Sequence, residues 1–199
     1  MSFLQNLLKL SVTRLANREK VELSSFIGEK PTVFFFIRRF GCPLCRYQVK
    51  DYSRIYESVT KVANFVVISP EFLGHEEFTS NGYWPGEVFI DEKKECYSTI
   101  GFKRYNPINV MGVFFDKQVK EMNAKAEAQG ITGNFAGDKL ATGGVIIVDK
   151  EGKNVLMEFK QKSAGDHCEP QKILDALKID ETVEDGEGSG TCGTEACGL

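Results

Sequence analysis

Short apolar runs alternate along the chain with polar, glycine-punctuated ones, and the runs are of two kinds. Residues 32–37 (Thr-Val-Phe-Phe-Phe-Ile) are β-branched and aromatic without polar interruption, the pattern of a strand buried on both faces. Residues 64–69 repeat that pattern up to Pro70, and residues 87–91 supply a third strand. The helical period follows residues 32–37: Leu44, Tyr52, Ile55, Val59 and Val62 fall on one face, with Arg46, Lys50, Asp51, Arg54 and Glu57 spread over the rest. Pro43 suits the first position of that helix, where its missing N–H is no loss, and Gly41 permits the turn before it.

The remaining segments complete an order of elements. Residues 3–10 form an amphipathic helix expected to pack on the domain, and residues 12–23 read as a hairpin around Ala16-Asn17-Arg18-Glu19. Helices are expected over 71–80, over 93–101 with a closing glycine, and over 113–129 with Phe114, Val119, Met122 and Ala126 apolar and Gly130 as the stop. Residues 130–144 are glycine-rich and read as loop, with Phe135 and Leu140 as candidate anchors. Residues 145–148 and 155–159 flank Asp149-Lys150-Glu151-Gly152-Lys153, a hairpin signal, and residues 170–177 close the domain as a helix. A hairpin, three β-α units, a helix, a second hairpin and a last helix imply an α/β fold, a mixed β-sheet with helices on both faces. The domain is placed at residues 1–179. Residues 180–199 are acidic and glycine-rich, have little to bury, and read as a flexible tail.

Composition narrows the class. A chain of 199 residues can bury a core without staples, and a net charge of -3 argues against a nucleic-acid partner. No apolar run is long enough for a membrane span, and the first residues lack a basic region and a small-residue cleavage site. Six unevenly spaced cysteines and the lack of an Asn-x-Ser/Thr sequon fit a reducing, cytoplasmic setting.

The chemistry concentrates where the first buried strand meets its helix. Cys42 falls just ahead of a helix N-terminus, where unpaired N–H groups and the helix dipole favour a thiolate, and Arg38, Arg39 and Arg46 push the same way. Cys42 is the candidate nucleophile. Cys45, one turn on, is the candidate resolving thiol, placed to form a disulfide with Cys42 after attack. Such a pair can also be half of a zinc site, but Cys96, Cys168, His75 and His167 form no second paired motif, so no metal is expected. Cys96 and Cys168 read as incidental thiols. Cys192 and Cys197, near the end of the tail, are candidates for a redox relay to Cys42 or Cys45. A Cys-x-x-Cys between strand and helix in this order of elements is the thioredoxin-like arrangement.

Ile37-Arg38-Arg39-Phe40-Gly41-Cys42-x-x-Cys45-Arg46 resembles the redox site of the prostamide/prostaglandin F synthase family, a thioredoxin-like branch of the peroxiredoxin-like group. Agreement extends through Asp91-Glu92, residues 101–106, Ala124-Lys125-Ala126, Gly133-Asn134, Gly137-Asp138, Gly143-Gly144 and the segment 159–166, covering about residues 10–178. The resemblance implies reduction of the endoperoxide of prostaglandin H, or of its ethanolamide prostamide H, to the F-series diol. Thioredoxin, and through its reductase NADPH, would supply electrons, with no cofactor bound to the chain. It leaves Arg38, Arg39 and Arg46 as candidate stabilisers of the developing alkoxide and Phe40 as a candidate contact for the lipid chains. Two positions depart from relatives of the fold: Arg39 stands where peroxiredoxins carry threonine, and Gly143-Gly144 where thioredoxin carries a cis-proline. A broader lipid or alkyl hydroperoxide reductase, and a thioredoxin-like redox sensor without turnover, are the alternative readings.

Overall fold

A computed structural model describes residues 3–106 and 117–183. Seven strands form one mixed sheet: β1 (Ser11–Arg14), β2 (Lys20–Glu22), β3 (Thr32–Phe36), β4 (Asn64–Ser69), β5 (Val88–Ile90), β6 (Gly144–Val148) and β7 (Val155–Lys160), in the spatial order β2-β1-β5-β4-β3-β6-β7. The centre is parallel, β3 pairing with β4 and β4 with β5, while β1, β6 and β7 join antiparallel. Every residue of β3 is buried, as its unbroken apolar run predicts for an interior strand of a sheet covered on both faces.

Alternation along that strand divides the core into two. Val33 and Phe35 point to a cluster closed by helices α2 (Pro43–Ser53), α3 (Tyr56–Val62), α4 (His75–Ser80), α6 (Lys117–Ala128) and α7 (Pro170–Ala176). Phe34 and Phe36 point to a second cluster, covered by α1 (Phe3–Leu8) and α5 (Glu95–Ile100). A one-residue slip of β3 would exchange the two sets, so packing fixes the register.

The structure corrects several local expectations. The helix predicted to run through residue 62 is two helices, because Arg54 and Ile55 donate to the carbonyls three residues back, Asp51 and Tyr52, and break the helical ladder. Val62 is 44% exposed rather than on the packed face. The helix expected over 71–80 starts at His75, since Gly74 sits at φ 87°, a conformation a helix interior does not accept. The helix after β5 starts at Glu95, where the Asp91 carboxylate accepts the backbone N–H groups of Glu95, Cys96 and Tyr97 at 3.0, 2.8 and 3.2 Å. Of the helix expected over 113–129, residues 117–128 are helical, and Val119, Met122 and Ala126 are buried as predicted; residues 113–116 lie outside the described residues, as do Cys192 and Cys197. Among the described residues no helix is long and apolar enough to cross a membrane.

Candidate active site around Cys42

The chain leaves the top of β3 at Phe36, turns through residues 37–42, and enters α2 at Pro43. Cys42 is the N-cap, with extended backbone (φ -84°, ψ 123°), and its carbonyl receives the N–H of Arg46 at 3.0 Å. No side chain caps this end, so the first-turn N–H groups remain open to an anion. The turn is held by the loop 130–144. The N–H of Asn134 donates to the carbonyl of Gly41 at 2.8 Å, and a Cβ at Gly41 would fall on Asn134 Oδ1 and the Ala136 carbonyl. Only glycine lets the two backbones approach this closely.

Three arginines serve three different purposes here. Arg38, 6% exposed, donates from Nε to the Ala141 carbonyl at 3.0 Å and brings Nη1 to 4.0 Å from Cys42 Sγ. Arg39 donates from Nη1 to the carbonyls of Asn134 and Ala136 at 2.8 and 2.7 Å, tying the loop to the turn. Arg46, expected among the solvated positions of its helix, is fully buried. Its guanidinium reaches the Phe40 carbonyl at 2.8 Å, the Thr132 carbonyl at 2.8 Å and the Glu77 carboxylate at 2.6 Å. Glu77 also accepts from the Asn134 side chain. Arg46 thus joins α2, α4 and the loop, and a buried charge with this many acceptors is well compensated.

Cys42 and Cys45 are both reduced and 4% exposed. Donation from the Cys45 thiol is the largest influence on Cys42. Burial opposes it, but the Arg38 and Arg39 charges and the Cys45 backbone N–H add to it, pushing the Cys42 thiol down from 9.0 to about 5. Cys45, as donor to that thiolate and itself buried, is pushed well above its ordinary value. One sulfur is therefore a thiolate at neutral pH and the other a thiol. Arg38 is in turn held protonated: burial acts against its charge, and the attraction of Cys42 and Cys45 outweighs it.

Cys96 and Cys168 are buried. Burial first, then the nearby Asp91 carboxylate, raises Cys96 far beyond neutral pH, and burial raises Cys168 to about 11. Both thiols are thus held in the protonated form at neutral pH.

In front of Cys42 lies a cavity of about 450 Å³, walled by Pro43, Leu44, Val119 and Ala164 and completed by Arg38, Arg39, Asn123, Gly133, Asn134, Phe135 and Lys139. Sequence reasoning missed most of this wall. Phe135, expected to anchor the loop, is instead 84% exposed at the solvent end of the cavity. Phe40, expected to meet lipid, is fully buried against Phe78, with ring centroids 4.8 Å apart, and is core. The cavity joins the start of α2 to α6 and the 130–144 loop that follows it, segments more than seventy residues apart, and no local pattern announces such a wall.

The mixed sheet with its covering helices is the fold of a thioredoxin-like protein of the peroxiredoxin type. The AhpC/TSA antioxidant enzyme family matches residues 49–163, beginning after the two cysteines. Among solved structures, the chain is similar to the bacterioferritin comigratory protein of Xanthomonas campestris (TM-score 0.60, 15% identity, 87% of this chain and 93% of that one) and to BcpB of Mycobacterium tuberculosis (TM-score 0.59, 14% identity, 87% and 94%). These likenesses concern the fold alone. Among curated proteins, it is 43% identical over 180 residues to the prostamide/prostaglandin F synthase of Salmo salar, covering 90% of each chain. It is 41% identical over 196 residues to that of Danio rerio, covering 96% of this chain and 97% of that one. The chain belongs to the prostamide/prostaglandin F synthase family.

Proposed function

We propose that the chain reduces a lipid endoperoxide, of the kind carried by prostaglandin H or prostamide H, to a diol through a Cys42/Cys45 dithiol cycle. A member of this family is an oxidoreductase acting on peroxides, and the observation that carries the finer reading is the electrostatic split of the pair at the base of an apolar cavity. A peroxide O–O bond is weak and open to a soft nucleophile. The Cys42 thiolate attacks one peroxide oxygen, an S–O bond forms as the O–O bond breaks, and the other oxygen leaves as an alkoxide that takes a proton. Arg38, 4.0 Å from the sulfur, stabilises that developing charge.

Cys45 then loses its proton and attacks Cys42 Sγ. An S–S bond forms, the S–O bond breaks, and the second oxygen leaves and is protonated to complete the diol. The peroxide has gained two electrons and the dithiol has lost them. A dithiol reductant, for which thioredoxin is the candidate with NADPH upstream, must restore the pair, and Cys192 and Cys197 are candidates for passing those electrons.

A second reading, reduction of linear lipid hydroperoxides, uses the same residues: Cys42 takes one oxygen as a sulfenic acid, an alcohol leaves, and Cys45 displaces water. The likeness of the fold to peroxiredoxins favours it. NADPH consumption coupled through thioredoxin and its reductase, with the prostaglandin H endoperoxide and a fatty-acid hydroperoxide supplied separately, tests both. Faster turnover of the endoperoxide with formation of the diol supports the first reading, faster turnover of the hydroperoxide replaces it with the second, and turnover of neither refutes both in favour of a redox sensor.

A further inference from the structure

We infer that the cavity in front of Cys42 selects lipid peroxides bearing a free carboxylate, and that Lys139 is the residue that reads it. The inference rests on the peroxide-reductase reading and narrows its substrate class. Among the described residues, the charged members of the cavity wall are Arg38, Arg39 and Lys139, with no carboxylate beside them. Two of these cations are committed. Arg38 faces Cys42 Sγ and the Ala141 carbonyl, and Arg39 holds the carbonyls of Asn134 and Ala136.

Lys139 is different. Among the described residues its ammonium has only the Phe135 ring beside it, 4.6 Å from the centroid. The adjacent acid cannot neutralise it, because Asp138 is taken by Lys94 at 2.9 Å, by Arg104 at 2.6 Å and by the Leu140 N–H at 3.0 Å. Lys139 and Phe135 are both exposed and belong to the solvent end of the cavity, whereas Leu44 and Val119 are buried at its inner end.

The arrangement suits an amphiphile: apolar wall within, an aromatic ring and an uncommitted cation without. A fatty chain entering peroxide-first would leave its carboxylate beside Lys139 and its proximal methylenes on Phe135. A neutral amide or ester of the same chain keeps the apolar contacts and loses the charge term. For a solvent-exposed ion pair, that term corresponds to about a two- to five-fold preference.

The test uses the full chain and reads Cys42 directly. The rate at which neutral iodoacetamide alkylates Cys42, followed by peptide mass spectrometry, is measured against rising palmitate or methyl palmitate, both kept below their solubility limits. Each variant is referred to its own ligand-free rate. Palmitate is expected to protect wild-type Cys42 at concentrations about two- to five-fold lower than the ester; Lys139→Gln should equalise the two and Lys139→Arg should restore the difference. Equal protection in the wild type, or a preference that survives Lys139→Gln, overturns the inference. Peroxide turnover by the same samples reports separately on the reductase reading: protection with the expected pattern but no turnover leaves the carboxylate site standing and removes the reading above it.

Discussion

Replacing Cys45 by alanine removes the thiol that donates to the Cys42 sulfur, whereas replacing it by serine keeps a hydroxyl donor there. The lowering of Cys42 from 9.0 to about 5 is worth roughly 5 kcal/mol of preference for the thiolate. Burial works against it, and the Cys45 thiol is the largest contributor in its favour, ahead of Arg38. A hydrogen bond to a charged group contributes about 1.5–3 kcal/mol, so its loss should move the midpoint up by about one to two units. Cys45→Ala should therefore titrate at about 6–7 and Cys45→Ser close to the wild type. Iodoacetamide alkylation of Cys42 across pH, resolved by peptide mass spectrometry, gives each midpoint. Alanine and serine variants shifting alike, or a wild-type midpoint near 9, would refute the reasoning.

The sign carries over to stability. Cys42 is depressed in the fold, so its contribution is complete above the ordinary thiol value and is lost as pH falls through about 5. Cys45 is raised, so its contribution is complete below the ordinary value of 9.0 and fades above it. The reduced pair should add stability as pH rises from about 5 to 9 and withdraw it beyond, and Cys42→Ser should abolish the rising limb.

Two further outcomes follow from the same geometry. Arg46→Met removes the donor from the buried carbonyls of Phe40 and Thr132 and the partner from Glu77; urea unfolding should show a loss of about 2–4 kcal/mol, with Glu77→Gln, on the half-exposed side of the pair, losing less. Gly41→Ala places a methyl group against Asn134 Oδ1 and the Ala136 carbonyl, which should cost about 1–3 kcal/mol and speed hydrogen exchange in residues 134–136.

The strands were readable because each carries its own signal. The apolar run of β3, the repeat in β4 and the turn residues between β6 and β7 are local patterns with local causes. Cys42 was readable as an N-cap because Pro43 and the helical period follow it directly. What escaped depends on residues brought together by the fold. Arg46 looks like a solvated helix position until Glu77, 31 residues away, and the 130–144 loop close over it. Phe40 and Phe135 are both phenylalanines within two residues of a turn or loop glycine, and only Phe78 against the first and open solvent beside the second separate core from cavity rim. Gly41 was legible as a turn, but not as the point where a loop more than ninety residues later touches it.

The central claim is that Cys42 is the attacking sulfur and Cys45 the one that resolves it. Incubating Cys45→Ser with the peroxide substrate, without added reductant, and locating the new mass by peptide sequencing tests this most directly. The account predicts a stalled adduct on Cys42: for an endoperoxide the whole lipid, released as the diol on the addition of a small thiol, and for a hydroperoxide a single oxygen, with the alcohol already free and the thiol discharging that oxygen as water. Modification on Cys192 or Cys197 with Cys42 untouched, or undiminished turnover by Cys42→Ser, would contradict it.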